Sequence, residues 1–170
     1  YKADKEYTTK LTFPQTIFSL VKDACGTLGI SMGFSSMAHG SFLVSSVPEG
    51  TTFRTFLGWA AMIECANARM DTRGYLQFKK WNFSEEDKQE FEDFANSPTF
   101  STSDIQITGI QVKNGDKTYL SGEKGYVLEL ENGLVAEESL QTVASWLGDA
   151  LNGVTFRSME GELADNPLIE

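Results

Sequence analysis

Leu57–Phe78 reads LGWAAMIECANARMDTRGYLQF, and its interpretation decides the fold. An almost wholly apolar run passes without a linker into D-T-R-G, and an alternating Y-L-Q-F follows. Upstream, Phe53, Phe56, Leu57, Ala60, Ile63 and Glu64 fall on one side of a helix and Trp59, Met62 and Ala66 on an adjacent one, interrupted only by Arg54, Gly58, Glu64 and Asn67. A helix apolar around most of its circumference is covered on most sides, so the pattern predicts a central helix. Thr51 or Thr52 is placed to cap it through a hydroxyl. Gly58 costs about 1 kcal/mol relative to Ala in a helix interior, and close approach by another backbone is the expected reason for it. After Asn67 the period changes to two. Asp71 and Gly74 supply the turn of a hairpin, the one through its side chain and the other through its tolerance of positive φ. The run is too short for a membrane span, which needs ~18 uninterrupted apolar residues. Arg54 and Glu64 would also lie inside the bilayer.

Working outward, Tyr7–Phe13 is β-branched and aromatic and predicts a short strand. Pro14 sits where a first helical turn accepts it. Ile17, Leu20, Val21, Ala24 and Leu28 keep helical spacing, with Gly29 as the C-terminal cap. Short strands are expected around Ile30–Phe34 and Ser41–Val47, joined by a turn at Met37–Gly40. Downstream, Ile105–Val112 alternates as a strand, Lys113-Asn114-Gly115-Asp116 suits a type I′ hairpin turn, Lys117–Leu120 returns, and Gly125–Leu130 is a further strand. Leu140, Val143, Ala144, Leu147, Ala150 and Leu151 mark a third helix ended by Gly153. Glu137 and Glu138 near its start favour the helix dipole. Val154–Leu163 alternates again. These elements predict an α+β chain of two small modules. Residues 1–81 form the first, with two helices, strands and a hairpin. Residues 82–101 are an acidic linker or helix, and residues 102–170 form the second module, with one helix.

The 170 residues carry a net charge of −10, unevenly spread. Residues 1–81 hold nine basic and six acidic side chains (+3), residues 82–121 three and eight (−5), and residues 122–170 two and ten (−8). Phosphate repulsion disfavours nucleic-acid binding by the acidic part, although such a surface suits the border of a channel through which DNA slides. The chain opens Y-K-A-D-K-E without a signal peptide, as an internal piece of a longer protein would; processing to a mature N-terminus is the alternative. Asn82–Asn96 has six carboxylates, one Lys and three Phe. It reads as a solvated acidic segment, because the D-x-D-x-D-G spacing of a calcium loop is missing.

No P-loop, G-x-G-x-x-G, G-x-S-x-G or H-E-x-x-H motif occurs. Cys25 and Cys65 read as buried free thiols, and Glu64 as a helix-edge carboxylate. His39, in M-A-H-G, reads as a solvated turn residue. A single histidine and two cysteines make a zinc site a poor fit. Tyr75, Trp81 and Trp146 suit core or rim packing more than a sugar platform. No catalytic, cofactor-binding or metal-binding residue is assigned, no cofactor is expected, and abundant carboxylates alone do not specify a hydrolase.

Two stretches carry a family resemblance. T-T-F-R-T-F-L-G-W-A-A…A-N-A-R-M-D-T-R-G-Y-L-Q-F resembles the segment of helix, small-residue turn and hairpin in baseplate-hub and tail-associated proteins of phages and prophages of Gram-positive bacteria. These include minor structural and prophage endopeptidase tail-like proteins. I-T-G-I-Q-V-K-N-G…Y-L-S-G-E-K-G-Y-V-L-E-L-E-N-G-L, a helix, then V-T-F-R-S-M-E-G…D-N-P-L-I-E resembles the barrel-forming part of the same hubs. One departure is Asn132-Gly133, where the family pattern has Asn-Pro. The resemblance implies that the second module is a partial antiparallel β-barrel with one packed helix. It also implies a structural role in the virion tail, as part of a ring that closes the tail tube. The ring would be a homo-oligomer, usually a trimer, in contact with distal-tail and tape-measure proteins, and DNA would pass it without binding. Catalytic domains of such proteins lie beyond the hub region, so no enzymatic residue carries over and no enzyme activity is expected here. A cell-surface or carbohydrate-binding module is the alternative reading.

Overall fold

Thr16 and Thr52 both stand in extended conformation, and each hydroxyl accepts a hydrogen bond from the amide three residues on, at 3.3 Å from Ser19 and 3.2 Å from Thr55. They start helices α1 (Ile17–Leu28) and α2 (Phe53–Ile63). In this computed structural model, residues 2–81 and 99–160 are described. The expected acidic segment Asn82–Asn96 and the terminal D-N-P-L-I-E lie outside them.

The first half holds β1 (Gln15–Thr16), β2 (Ser31–Met32), β3 (Leu43–Val44), β4 (Ala66–Met70) and β5 (Tyr75–Lys80). α1 ends as expected at Gly29, at φ 71°. β4 and β5 form the expected hairpin, Ala66 opposite Lys80 and Met70 opposite Leu76. Asp71 Oδ1 accepts the amides of Arg73 and Tyr75, each at 2.9 Å, and Gly74 has φ 80°. β2 joins the same sheet parallel to β5, giving the order β2-β5-β4, while β3 pairs antiparallel with β1. The two strands flanking the Met37–Gly40 turn therefore belong to different sheets.

Three local expectations are corrected here. Tyr7–Phe13 is irregular, with only Glu6 bridging to Thr52. The segment is fixed by a side chain instead: Tyr7 is buried against Phe53 and Phe56, and its hydroxyl donates to Asp23 Oδ2 at 3.0 Å. Pro14 precedes the Thr16 cap rather than occupying the first turn. Helix α2 ends at Ile63, earlier than the apolar period suggests, because Cys65 adopts φ 53° and starts β4 at Ala66. A non-glycine residue in that region carries a cost of roughly 1–2 kcal/mol, which surrounding structure must offset.

The second half comprises β6 (Thr99–Phe100), β7 (Ile105–Gln106), β8 (Gly109–Asn114), β9 (Lys117–Gly122), β10 (Val127–Glu131), α3 (Leu140–Leu151), β11 (Thr155–Phe156) and β12 (Met159–Glu160). The run Ile105–Val112 is two strands. β7 pairs with β11, and β8 is the centre of a sheet ordered β10-β8-β9. Between them Ile107 leaves the ladder, its amide donating to the Val154 carbonyl and its carbonyl accepting from Gly153. The Val154–Leu163 run is likewise divided, β12 pairing with β6. β9 is antiparallel to β8, but β10 is parallel to it. The expected partial antiparallel barrel is thus an open mixed sheet covered by α3, and none of the small sheets closes into a barrel.

Glycines explain how a short connection makes that parallel pairing. Residues 123–126 pass beneath the start of β8, where Thr108 donates to the Tyr126 carbonyl and Glu123 donates to the Thr108 carbonyl. A Cβ at Gly109 would lie 2.6 Å from the Glu123 carbonyl oxygen, and one at Gly122 2.5 Å from that of Thr108. In the β8–β9 turn the positive φ falls on Gly115 alone, at the first central position, as in a type II′ turn rather than the expected I′. Asn114 instead donates its side-chain amide to the Val135 carbonyl at 2.9 Å.

Both halves contribute to one apolar core. Phe56, Ile17, Leu20, Ile63, Ile110, Val135 and Leu147 are fully buried within it, and α2 touches both α1 and α3. Asn132, also fully buried, joins the β10–α3 connection to α2: its side-chain amide donates to the Trp59 carbonyl at 2.9 Å, and its Oδ1 accepts the Leu134 amide at 3.1 Å. Gly133 follows because a Cβ there would lie 2.7 Å from the Trp59 indole. This contact gives a physical reason for glycine at position 133. Gly58 is the opposite case. It is exposed, and a Cβ would meet nothing within 4 Å, so no backbone among the described residues approaches it.

The two glycines predict opposite outcomes in urea unfolding. Gly58→Ala raises stability by about 1 kcal/mol through helix propensity, and Gly133→Ala lowers it by roughly 1–3 kcal/mol through overpacking. Equal effects of the same sign would contradict this packing.

Candidate interaction surface

The early end of α2 organises the residues that the sequence singles out. Glu64 is 4% exposed rather than at a helix edge. Its two oxygens accept the backbone amides of Ala38 at 2.8 Å and His39 at 2.6 Å. The His39 ring is not a solvated turn side chain. Its Nδ1 donates to the Ile63 carbonyl at 2.8 Å, which assigns the proton to that nitrogen because a carbonyl only accepts. The ring stacks on the Trp146 indole with centroids 3.8 Å apart and planes 5° from parallel. The Met37–Gly40 turn is therefore clasped between the end of α2 and the side of α3. Sequence reasoning missed this clasp. Its one local signal is a turn offering two consecutive amides, and nothing local names the carboxylate that takes them.

Cys25 is buried and Cys65 half-buried, and both are free thiols. Burial pushes each up to about 11, and the neighbouring Glu64 charge adds to the effect at Cys65. Neither is a ready nucleophile at neutral pH. The three singled-out aromatics have separate settings. Trp146 stacks under His39, Trp81 packs against the core, and Tyr75 lies beneath the Arg73 guanidinium at 5.4 Å. Among the described residues no group of three His, Cys, Asp or Glu side chains is placed to hold a metal ion, and no helix is long and apolar enough to cross a membrane.

A groove of about 520 Å³ lies between α2 and β4. Leu28, Ile30, Leu57 and Leu76 form its apolar walls, and Gly58 leaves its helical side without a side chain. All five residues of β4 line it. Successive strand residues point to opposite faces, so a cavity that reaches all five must run along the strand's open edge. β4 is the edge of its sheet, with β5 on one side and no strand on the other among the described residues. Ala66, Ala68 and Met70 face the groove side, and Met70 is 47% exposed. Asn67 and Arg69 occupy the other face and are exposed, and Lys2 and Arg54 also border the groove. An apolar trough beside an edge strand, bordered by Lys2 and by the Arg54–Asp4 ion pair, is suited to accepting an extended segment as an added strand.

Two measurements test this site's supports. Glu64→Ala leaves two amides without an acceptor and is expected to cost about 3 kcal/mol in urea unfolding, with Glu64→Gln costing less because it keeps an acceptor. An unperturbed Glu64→Ala variant would show that the clasp is not structural. The β4–β5 turn carries a pH signature. The Tyr75 amide first, then Gln77 and Arg73, hold the Asp71 carboxyl down at about 2. A depressed folded value contributes stability above the ordinary carboxylate range that is lost as pH falls through the folded value. The stability gap between the native chain and Asp71→Ala is therefore expected to be full at pH 6 and to shrink between pH 4 and pH 2. A gap independent of pH would contradict these hydrogen bonds.

No protein-family model matches this chain, and no curated protein matches it. Among solved structures it is similar to the 43 kDa tail protein of prophage MuSo2 from Shewanella oneidensis, with 15% sequence identity and a TM-score of 0.45. The match takes in 87% of this chain and 47% of the other, so the chain spans about half the length of that tail protein.

Proposed function

We propose that this chain is a structural piece of a phage or prophage tail tip, acting by protein–protein assembly and carrying no catalysis of its own. The open edge of β4 with its apolar groove is the observation that carries the assembly part of this reading. Natural proteins ordinarily cover, shorten or charge such an edge, and one left open beside an apolar trough is suited to a partner. The tail context comes from the resemblance of Thr51–Phe78 and of residues 107–170 to baseplate-hub and tail-associated proteins. On that reading the chain contributes to a ring at the distal end of the tail tube and contacts distal-tail and tape-measure proteins. The net charge of −13 over residues 82–170, from −5 and −8, suits a surface that lets DNA pass without retaining it. Burial of Glu64 and the raised thiol pKa values favour structural over catalytic roles for these residues.

The test is co-expression of the full chain with distal-tail and tape-measure proteins of the same phage or prophage, followed by light scattering and electron microscopy. The expected result is a complex of fixed stoichiometry containing closed rings. Recovery of the chain alone as a monomer, with retention on peptidoglycan or glycan beads, would instead favour a surface-binding module.

A further inference from the structure

We infer that the edge strand β4 of one copy pairs with the edge strand β10 of a second copy, making a head-to-tail contact. This rests on the assembly reading above and names the partner of the same groove. β10 reads V-L-E-L-E, has the same five-residue length as β4, and is likewise the edge of its sheet among the described residues. Its alternation matches that of β4. Leu128 and Leu130 lie on one face, packed against the core, and Glu129 and Glu131 are exposed on the other. β4 places Ala66, Ala68 and Met70 on its groove side and the exposed Asn67 and Arg69 on the other.

Residues directly opposite each other in paired strands point to the same face. When the apolar faces are aligned with Arg69 opposite Glu129, an antiparallel pairing sets Met70 against Leu128, Ala68 against Leu130 and Asn67 against Glu131. A parallel pairing keeps Arg69 opposite Glu129 and sets Met70 against Leu130. In either direction the cation meets a carboxylate and the aliphatic side chains continue one apolar layer from copy to copy. A one-residue slip would oppose Arg69 with leucine, so side-chain chemistry excludes odd slips and leaves Arg69 facing Glu129 or, two residues on, Glu131. Glu129 already contacts Lys113 within its own sheet, and Glu131 is exposed. The incoming strand therefore presents two carboxylates with, among the described residues, one intramolecular lysine against them.

The same polarity holds for the whole chain. The half that carries β4 has charge +3, and the remainder, which carries β10, has −13. Such complementarity favours unlike halves meeting and opposes like halves meeting. A contact between different surfaces of identical copies propagates into a ring when its rotation closes. A five-residue edge contact is small and belongs to the weak class of interfaces when formed singly.

The experiment uses the full chain in sedimentation equilibrium up to ~1 mM, a range suited to weak contacts. Arg69→Glu and the double variant Glu129→Arg/Glu131→Arg are each expected to weaken self-association roughly tenfold or more, by opposing like charges. The triple variant Arg69→Glu/Glu129→Arg/Glu131→Arg restores it. In a Cys25→Ala/Cys65→Ser background, mixed Arg69→Cys and Glu129→Cys chains are expected to form disulfide-linked pairs far in excess of either chain linked to itself. Self-association that persists in Arg69→Glu without the mixed crosslink would overturn this contact and leave the tail-assembly reading standing. No self-association of the unmodified chain at ~1 mM would overturn this contact, while the tail-assembly reading stands or falls on the co-expression experiment.

Discussion

The C-terminal end of α2 is the constraint on which the rest of the structure depends. Helix ends leave carbonyls without intrahelical partners; here those of Ala61 and Met62 take the Glu64 and Cys65 amides, and a distant turn takes that of Ile63. Ile63 offers its carbonyl to His39, Glu64 offers both carboxylate oxygens to the amides of Ala38 and His39, and one turn earlier Trp59 offers its carbonyl to Asn132. Each donor belongs to a connection rather than to a helix or strand. Two otherwise irregular segments, one from each half of the sequence, are thereby tied to the same helix. The left-handed turn at Cys65 completes the arrangement by sending the chain directly into β4.

Once α2 is fixed in this way, the open surfaces follow. Its buried face holds Phe56, Ala60 and Ile63 against the core, while Arg54 and Gly58 remain exposed beside β4. The exposed glycine has no packing explanation within the described chain, and it lies where the groove needs width. The second half reaches a comparable state by another route. Gly109, Gly122 and Gly125 let a short connection cross beneath β8, and that crossing makes β10 parallel to β8 and leaves it as an edge. Two uncapped strands of equal length and opposite polar character are a product of topology, and they bind the assembly reading to named residues.

Much of this was legible locally. Thr52, Gly29 and the D-T-R-G turn act through neighbours within five residues, and their chemistry is readable without a fold. The three helices follow from apolar periodicity for the same reason. What escaped was non-local. The parallel pairings of β2 with β5 and β8 with β10 bring together segments whose own patterns carry no direction. Glu64 looked peripheral because its partners lie 25 and 26 residues away, and Asn132 reaches a carbonyl 73 residues distant. Division of the Ile105–Val112 run also depended on a remote segment, since Val154 takes the Ile107 amide. As for the candidate surface, the alternation of β4 and β10 was visible, but that each is an edge became apparent only from the sheet order.

On the assembly proposal, β4 is an open edge in the free chain and becomes paired when copies meet. Amide hydrogen exchange across Ala66–Met70 tests it most directly, with the chain compared at dilute concentration and in its assembled state. Amides of β4 directed away from β5 are expected to exchange quickly in the dilute chain and to be strongly protected after assembly, with matching protection in Val127–Glu131. Protection of those amides already present in the dilute chain, or no change on assembly, would contradict it.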